Sequence, residues 1–277
     1  MAKKKSTING STVNGNGNVN GNSTTNGNGN GVKKENIDYD KKVMTILENG
    51  QEKKIPLNNK QIAEILYGKK LLIRGKNKKQ KELLTEIGLK EITIATGPAG
   101  TGKSYCSLAK ALELLANPDN NFQKLYITTP TVDVEDSIGF LPGDMEDKME
   151  VYLFSTYYLI DKIIGKQNRK RLQELKIIEP LCLSYIRGCN IDNAILIAEE
   201  CQNMTTSQMK TLMTRIGFNS RFVMSGDLEQ IDRKFQKTNG LEDVVKRFSD
   251  MNEIGIIEFD NEDIVRNPLI SKILAKY

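Results

Sequence analysis

The sequence predicts an α/β protein in which a mostly parallel sheet is flanked by helices. From about residue 76 onward, short apolar runs alternate with amphipathic segments of helical spacing, which is typical of strand–helix–strand units. A glycine-rich stretch, residues 97–104, connects one apolar run to a helical segment. A second apolar run, Ala194–Ala198, ends in two acidic residues. Because ligands of parallel sheets bind at the carboxyl ends of the strands, both features indicate a site at the same edge.

The individual elements follow from hydrophobic periodicity. The predicted strands are the short apolar runs Ile92–Thr96, Leu125–Thr129, Leu181–Ile186, Ala194–Ala198, Phe222–Ser225 and Ile254–Phe259. The predicted helices are the amphipathic segments between and after them, Tyr105–Leu115, Tyr152–Ile164, Ser207–Ile216, Leu241–Phe248 and Asp263–Lys276.

The N-terminal region has a different composition. Residues 1–35 form an Asn/Gly-rich basic tail with five Lys and one Glu, and so polar a segment is expected to be disordered. Residues 36–75 are predicted to be a short helical lead-in, because Ile62, Ile65 and Leu66 have helical spacing within Asn59–Tyr67. Residues 76–277 make up the predicted catalytic domain.

Composition excludes several classes of function. The chain contains no His, which excludes Ser-His and Cys-His nucleophile systems and metal sites built on imidazole. The spacing of its four cysteines fits neither a zinc ribbon nor a redox pair. No apolar stretch approaches the roughly 18 residues of a membrane span, so we expect a cytoplasmic protein without a membrane partner. Outside the tail, 35 basic and 34 acidic residues nearly balance, so bulk charge does not indicate nucleic acid.

The glycine-rich stretch matches the pattern G-x-x-x-x-G-K-S/T, which predicts nucleoside triphosphate binding. Its residues are Gly97, Pro98, Ala99, Gly100, Thr101, Gly102, Lys103 and Ser104. Glycines allow backbone N–H groups to surround a phosphate, the Lys103 ammonium can contact the β- and γ-phosphates, and the Ser104 hydroxyl can bind Mg²⁺.

Hydrolysis would also need acidic groups near the phosphates. Glu199 and Glu200 follow the strand Ala194–Ala198, so one can hold Mg²⁺ and the other can accept a proton from water. Gln230 follows the strand Phe222–Ser225 and could sense a γ-phosphate, since an amide both donates and accepts. The arginines that could stabilise transition-state charge are Arg187, Arg215, Arg221 and Arg266, and the residues alone do not choose among them.

Seven stretches, in this order, closely resemble the PhoH-like family of P-loop ATPases related to superfamily-1 helicases. They are Gln80, Gly97–Tyr105, Gly139–Lys148, Ile186–Gly188, Glu199–Asn203 with Gln208, Met209 and Thr214–Gly217, Ser225–Gln230 and Glu262–Pro268. The resemblance implies a RecA-like core that binds ATP and Mg²⁺ and assembles into rings, such as hexamers, acting on RNA. It also implies roles for particular residues: Gln80 reads adenine, Tyr105 belongs to the nucleotide site, Ser104 and Glu199 hold Mg²⁺, Glu200 is catalytic, Gln202 and Gln230 sense the nucleotide, and Arg266 contacts phosphate.

One departure from the family bears on activity. The family generally has Asp-Glu-Ala-Gln where this chain has Glu199-Glu200-Cys201-Gln202. The extra methylene of Glu199 shifts its carboxylate, and a misplacement near 1 Å can cost ~10²-fold in rate. We therefore expect slower hydrolysis, and higher turnover in a Glu199→Asp variant.

Three functions are compatible with these residues. The first is an Mg²⁺-dependent ATPase that remodels RNA, and the second is a nucleotide-switched binding or scaffold protein with little turnover. The third is a small-molecule kinase, which would need a basic lid over the phosphates. The segment after the second strand is instead acidic, with Asp133, Glu135, Asp136, Asp144, Glu146 and Asp147, which disfavours the kinase.

Overall fold

The computed structural model describes residues 36–38, 43–48, 51–56, 73–117, 119–130, 145–186, 188–231, 239–265 and 276. The chain divides into two units, Met1–Leu57 and Asn58–Tyr277. The predicted tail over residues 1–35 and the predicted helix at Asn59–Tyr67 lie outside the described residues.

The first unit contains an antiparallel sheet of three strands. β1 (Asn36–Asp38) pairs with β2 (Val43–Glu48), and β2 pairs with β3 (Gln51–Pro56). The prediction of a helical lead-in over residues 36–75 missed these strands. It did so because β3, Gln-Glu-Lys-Lys-Ile-Pro, has no apolar run and no clear alternation. A usable signal was the dipeptide Asn49-Gly50 between β2 and β3, since Asn-Gly favours tight hairpin turns.

The second unit contains a six-stranded sheet in which all the strand pairs are parallel. Its strands are β4 (Ile92–Thr96), β5 (Lys124–Thr128), β6 (Ile178–Pro180), β7 (Ala194–Ala198), β8 (Arg221–Gly226) and β9 (Ile254–Glu258), in the spatial order β6-β5-β7-β8-β4-β9. β4 and β7 are buried along their whole length, which explains their continuous apolar sequences. The predicted parallel α/β class is confirmed.

One predicted strand is wrong. Residues Leu181–Ile186 do not form a strand: the sheet ends with β6, and Leu183–Tyr185 makes a single 3₁₀ turn. β6 is an edge strand that ends at Pro180, and the last ladder bond joins Leu181 N to Ile127 O. Hydrophobicity alone could not place this boundary, because the apolar residues after Pro180 pack against the core without joining the sheet.

Helices pack against the parallel sheet. They are α1 (Lys78–Leu89), α2 (Lys103–Ala116), α3 (Met145–Tyr152), α4 (Phe154–Ile164), α5 (Lys166–Glu174), α6 (Thr206–Met213) and α7 (Gly240–Arg247). The predicted helix Tyr152–Ile164 corresponds to α4 and the end of α3. Of the predicted helix Asp263–Lys276, Asp263 ends a 3₁₀ turn that begins at Asn261, and most of the rest lies outside the described residues. Within the described ranges, no helix has the length and apolar character needed to cross a bilayer.

Candidate active site

The phosphate loop leaves β4 and leads into α2, as predicted. Gly97, Gly100 and Gly102 have φ angles of +125°, +93° and +88°, a region that residues with a Cβ rarely adopt. Space is also restricted, because a Cβ on Gly97 would lie 2.2 Å from the carbonyl oxygen of Phe259. The loop therefore depends on glycine for both its backbone conformation and its close packing.

Lys103, the first residue of α2, turns its side chain back over the loop. Its Nζ donates to the carbonyl oxygens of Gly97 (2.6 Å) and Pro98 (2.8 Å), and to Thr101 Oγ1 (3.3 Å). The side chain is buried, so its charge acts at reduced dielectric. This position lets the ammonium meet a phosphate that enters the loop.

Gln80, on α1, lies directly behind the loop. Its Nε2 donates to the carbonyl oxygen of Thr101 (2.8 Å), and its Oε1 accepts from Lys76 N (2.8 Å). Gly102 makes this approach possible, because a Cβ there would lie 2.7 Å from Gln80 Nε2. The structure therefore shows Gln80 supporting the loop. Its predicted reading of adenine stays a prediction.

The C-terminal segment also contacts the loop. Val265 N donates to the carbonyl oxygen of Gly100 (3.0 Å), and Phe259 N donates to that of Thr96 (2.8 Å). These bonds place the residues before position 266 beside the nucleotide loop. Arg266 itself lies outside the described residues, so its predicted phosphate contact stays a prediction.

Glu199 follows β7 and faces the start of α2. Its Oε2 accepts from Ser104 Oγ (2.6 Å) and from Ser225 Oγ (2.7 Å). Desolvation by burial raises the pKa of this carboxyl, although the two serine hydrogen bonds act in the opposite direction. Its second oxygen, Oε1, is buried and has no hydrogen-bond partner.

A magnesium ion would fit this group of atoms. A buried carboxylate oxygen without a partner is costly, and Glu199 Oε1 offers a cation one hard oxygen beside the Ser104 hydroxyl. In the described part of the chain, no cluster of three or more Cys, Asp and Glu residues could hold a metal alone. Mg²⁺ typically uses one or two protein oxygens together with substrate phosphates and water.

Glu200 lies beside Glu199 but is exposed at the cleft. Its backbone is left-handed, with φ +56°, which is unusual outside glycine. Its Oε2 accepts from Gln202 Nε2 (2.6 Å), and Gln202 Oε1 in turn accepts from Asp227 N (3.1 Å). Gln202 is buried, so the structure shows it bridging the ends of β7 and β8.

Asp227 and Gln230 follow β8 on the other side of the cleft. Gln230 is exposed and donates through Nε2 to Asp227 Oδ2 (2.7 Å). The same oxygen accepts from Ala99 N in the phosphate loop (3.1 Å). The sensor predicted at Gln230 is thus held next to the loop.

A single cleft of about 280 Å³ brings most of the predicted residues together. It is lined by Ala99, Gly100, Gly102, Lys103, Ser104, Tyr105, Glu199, Glu200 and Gln230, and also by Leu159, Ser225, Gly226 and Asp227, which received no role in the sequence analysis. The other predicted residues that the structure describes do not line the cleft: Gln80, Gly97, Pro98, Thr101 and Gln202. A signal was available for Asp227, because it directly follows a strand and ligands of parallel sheets bind at the carboxyl ends of the strands.

Comparison with known proteins identifies relatives over about three quarters of the chain. A PhoH-like protein of Bacillus subtilis is 38% identical over 205 residues, covering 74% of this chain and 64% of the relative. Protein PhoH of Escherichia coli K12 is 34% identical over 207 residues, covering 74% and 58%. The chain thus spans about three fifths of the length of these relatives.

Among solved structures, the chain is similar to the large terminase of a thermophilic bacteriophage in complex with ADP. The TM-score is 0.40 at 12% identity, covering 72% of this chain and 49% of the terminase. The sequence profile of the family described as PhoH-like protein matches residues 72–277. With that match, the chain belongs to the PhoH-like family of P-loop proteins.

Proposed function

We propose that the chain is an Mg²⁺-dependent ATPase that couples hydrolysis to remodelling of RNA. The observation that carries the proposal is the Ser104–Glu199 pair with its buried, unpartnered Glu199 Oε1, set against a glycine-lined loop under the Lys103 ammonium. That combination is suited to a triphosphate with its metal, and it has no evident structural purpose otherwise.

Each side chain has a task in this proposal. Lys103 neutralises charge on the β- and γ-phosphates, and Ser104 with Glu199 holds the ion. Mg²⁺, when bound, supplies charge stabilisation at the phosphate oxygens. Glu200, exposed at the cleft, accepts the proton of the attacking water, and Gln230 contacts the γ-phosphate.

The proposed coupling to RNA is inferred from the resemblance to the PhoH-like family. The resemblance also implies rings, so the proposal includes self-assembly into a ring in which a neighbouring subunit completes the site. Single-stranded RNA is the proposed substrate, and the cytoplasm is the proposed location.

A second candidate is a nucleotide-switched binding protein with little turnover. It is favoured by the direct 2.6 Å contact between Ser104 Oγ and Glu199 Oε2. In that arrangement the carboxylate occupies space beside the hydroxyl that would hold the ion, which would slow hydrolysis without preventing binding.

Calorimetry with Mg–ATP and phosphate release with and without single-stranded RNA test both candidates. Lys103→Ala should weaken ATP binding by roughly tenfold or more, because a charged hydrogen bond contributes about 1.5–3 kcal/mol. Lys110→Ala, on the same helix and paired with Glu113, is the matched control and should bind normally. Phosphate release stimulated by RNA supports the motor, whereas tight binding without release supports the switch. Absence of binding heat in the wild type would overturn both.

A further inference from the structure

Asp227 is a buried carboxylate on the wall of the cleft, 7% exposed. Burying a carboxylate is costly unless hydrogen bonds replace its water, so its partners indicate its purpose. Oδ2 accepts from Ala99 N (3.1 Å) and Gln230 Nε2 (2.7 Å), and Oδ1 accepts from Glu229 N (3.0 Å). One oxygen therefore joins the phosphate loop to the predicted sensor.

The backbone N–H of Asp227 is also connected, through Gln202, to Glu200, the proposed catalytic carboxylate. Asp227 N donates to Gln202 Oε1 (3.1 Å), and Gln202 Nε2 donates to Glu200 Oε2 (2.6 Å). Close packing holds the Gln202 side chain in this position, because a Cβ on Gly226 would lie 2.6 Å from Gln202 Oε1. Asn239 Nδ2 also holds the backbone carbonyl oxygen of Gln202 (3.1 Å).

We infer that Asp227 is a positioning residue that ties the phosphate loop to both Gln230 and the carboxylate of Glu200. An unbroken series of contacts runs from Ala99 through Asp227 and Gln202 to Glu200. A shift of the loop is thereby passed to the group that accepts the proton. The inference rests on the proposed ATPase function. It adds that Asp227 keeps the phosphate loop, Gln230 and Glu200 at fixed relative positions.

Asp227→Asn tests the hydrogen bonds of the Asp227 carboxylate with little change in the shape of the side chain. Whichever way the new amide lies, its NH₂ group faces a backbone N–H, either that of Ala99 or that of Glu229. One backbone donor is therefore left without an acceptor. If the loop and sensor lose register by about 1 Å, turnover should fall on the order of 10²-fold. The dissociation constant for ADP should change by less than about threefold, since Lys103 and the loop amides remain.

Asp192→Asn is the matched control. Asp192 also caps a backbone amide, that of Phe218 (2.7 Å), but it precedes β7 and so lies at the opposite edge of the sheet. Melting temperatures show whether either variant loses stability. Asp192→Asn should keep wild-type turnover. Equal losses of turnover in the two variants, or no loss in Asp227→Asn, would overturn the inference.

Gln202→Met tests whether the contacts of the Asp227 carboxylate and the contact of its backbone N–H with Gln202 act together. If both act through Asp227, the turnover loss of the double variant with Asp227→Asn is smaller than the product of the single losses. If the turnover losses of the two single variants multiply in the double variant, the inference that Asp227 links these contacts is overturned.

If wild-type protein releases no phosphate, the ATPase proposal fails by itself. The inference is then decided by hydrogen exchange at the amides of Ala99 and Glu229, one of which Asp227→Asn should accelerate, whereas Asp192→Asn should accelerate neither. Unchanged exchange at both amides in Asp227→Asn would overturn it.

Discussion

Replacing Glu199 by aspartate removes one methylene from the carboxylate that faces Ser104. In the structure, Glu199 Oε2 accepts from Ser104 Oγ at 2.6 Å. The glutamate carboxylate therefore lies directly against the hydroxyl that is proposed to hold Mg²⁺.

Aspartate would withdraw the carboxylate by about 1.5 Å, the length of one carbon–carbon bond. Since a misplacement near 1 Å costs ~10²-fold, turnover of Glu199→Asp should rise between roughly tenfold and 10²-fold. ATP affinity should stay the same, because the loop and Lys103 are untouched. Loss of the bond from Ser225 Oγ would reduce stability by about 1 kcal/mol.

Phosphate release at saturating Mg–ATP measures turnover, and competition with a fluorescent nucleotide measures affinity. Glu200→Asp is the matched control, because it deletes the same methylene from the neighbouring carboxylate. There the change draws the proton acceptor away from the cleft, so turnover should fall on the order of 10²-fold. Equal or lower turnover in Glu199→Asp at unchanged affinity would refute this account of the site.

Three further predictions concern buried groups. Burial raises the pKa of the Cys106 thiol to about 11, so its thiolate fraction at pH 8 is about 10⁻³. Iodoacetamide should therefore label the exposed Cys189 and leave Cys106 unlabelled, as measured by peptide mass spectrometry. Desolvation raises the pKa of the Glu199 carboxyl above its ordinary value of 4.5, so the folded chain binds that proton more tightly than the unfolded chain and stability falls as pH rises above 4.5. Without magnesium, the melting temperature of Glu199→Gln should therefore exceed that of the wild type at pH 8, and the difference should shrink toward pH 4.5. Gln80→Met removes the bond to Thr101 and should weaken ATP and GTP binding equally, by about fivefold; a loss confined to ATP would instead support adenine reading.

The sequence predicted the parts of this protein whose signal is local. The strands β4 and β7 are buried on both faces, so their continuous apolar runs stand out, and the loop between β4 and α2 needs glycine at fixed positions. The antiparallel strands of residues 36–56 were missed although β2 contains an apolar run, because its partner β3 is polar and leaves little trace in the sequence. A strand was wrongly predicted at Leu181–Ile186, just after β6, because an apolar residue that packs beside a sheet resembles one inside it.

The arrangement of the site depends on a strand that carries neither of the two predicted acidic residues. β8 lies between β4 and β7, and neighbouring strands are about 4.8 Å apart, so the phosphate loop and the acidic pair begin almost 10 Å from each other. Residues at the end of β8 span that gap: Ser225 Oγ contacts Glu199 on one side, and Asp227 contacts Ala99 on the other. A sequence shows β8 only as the next strand along the chain, so it cannot reveal this bridge. In the proposed function, the distance across which phosphate, metal and water would fit is therefore set by Ser225 and Asp227 at the end of β8, and we predict that substitutions there alter catalysis although neither residue supplies the proposed catalytic carboxylate.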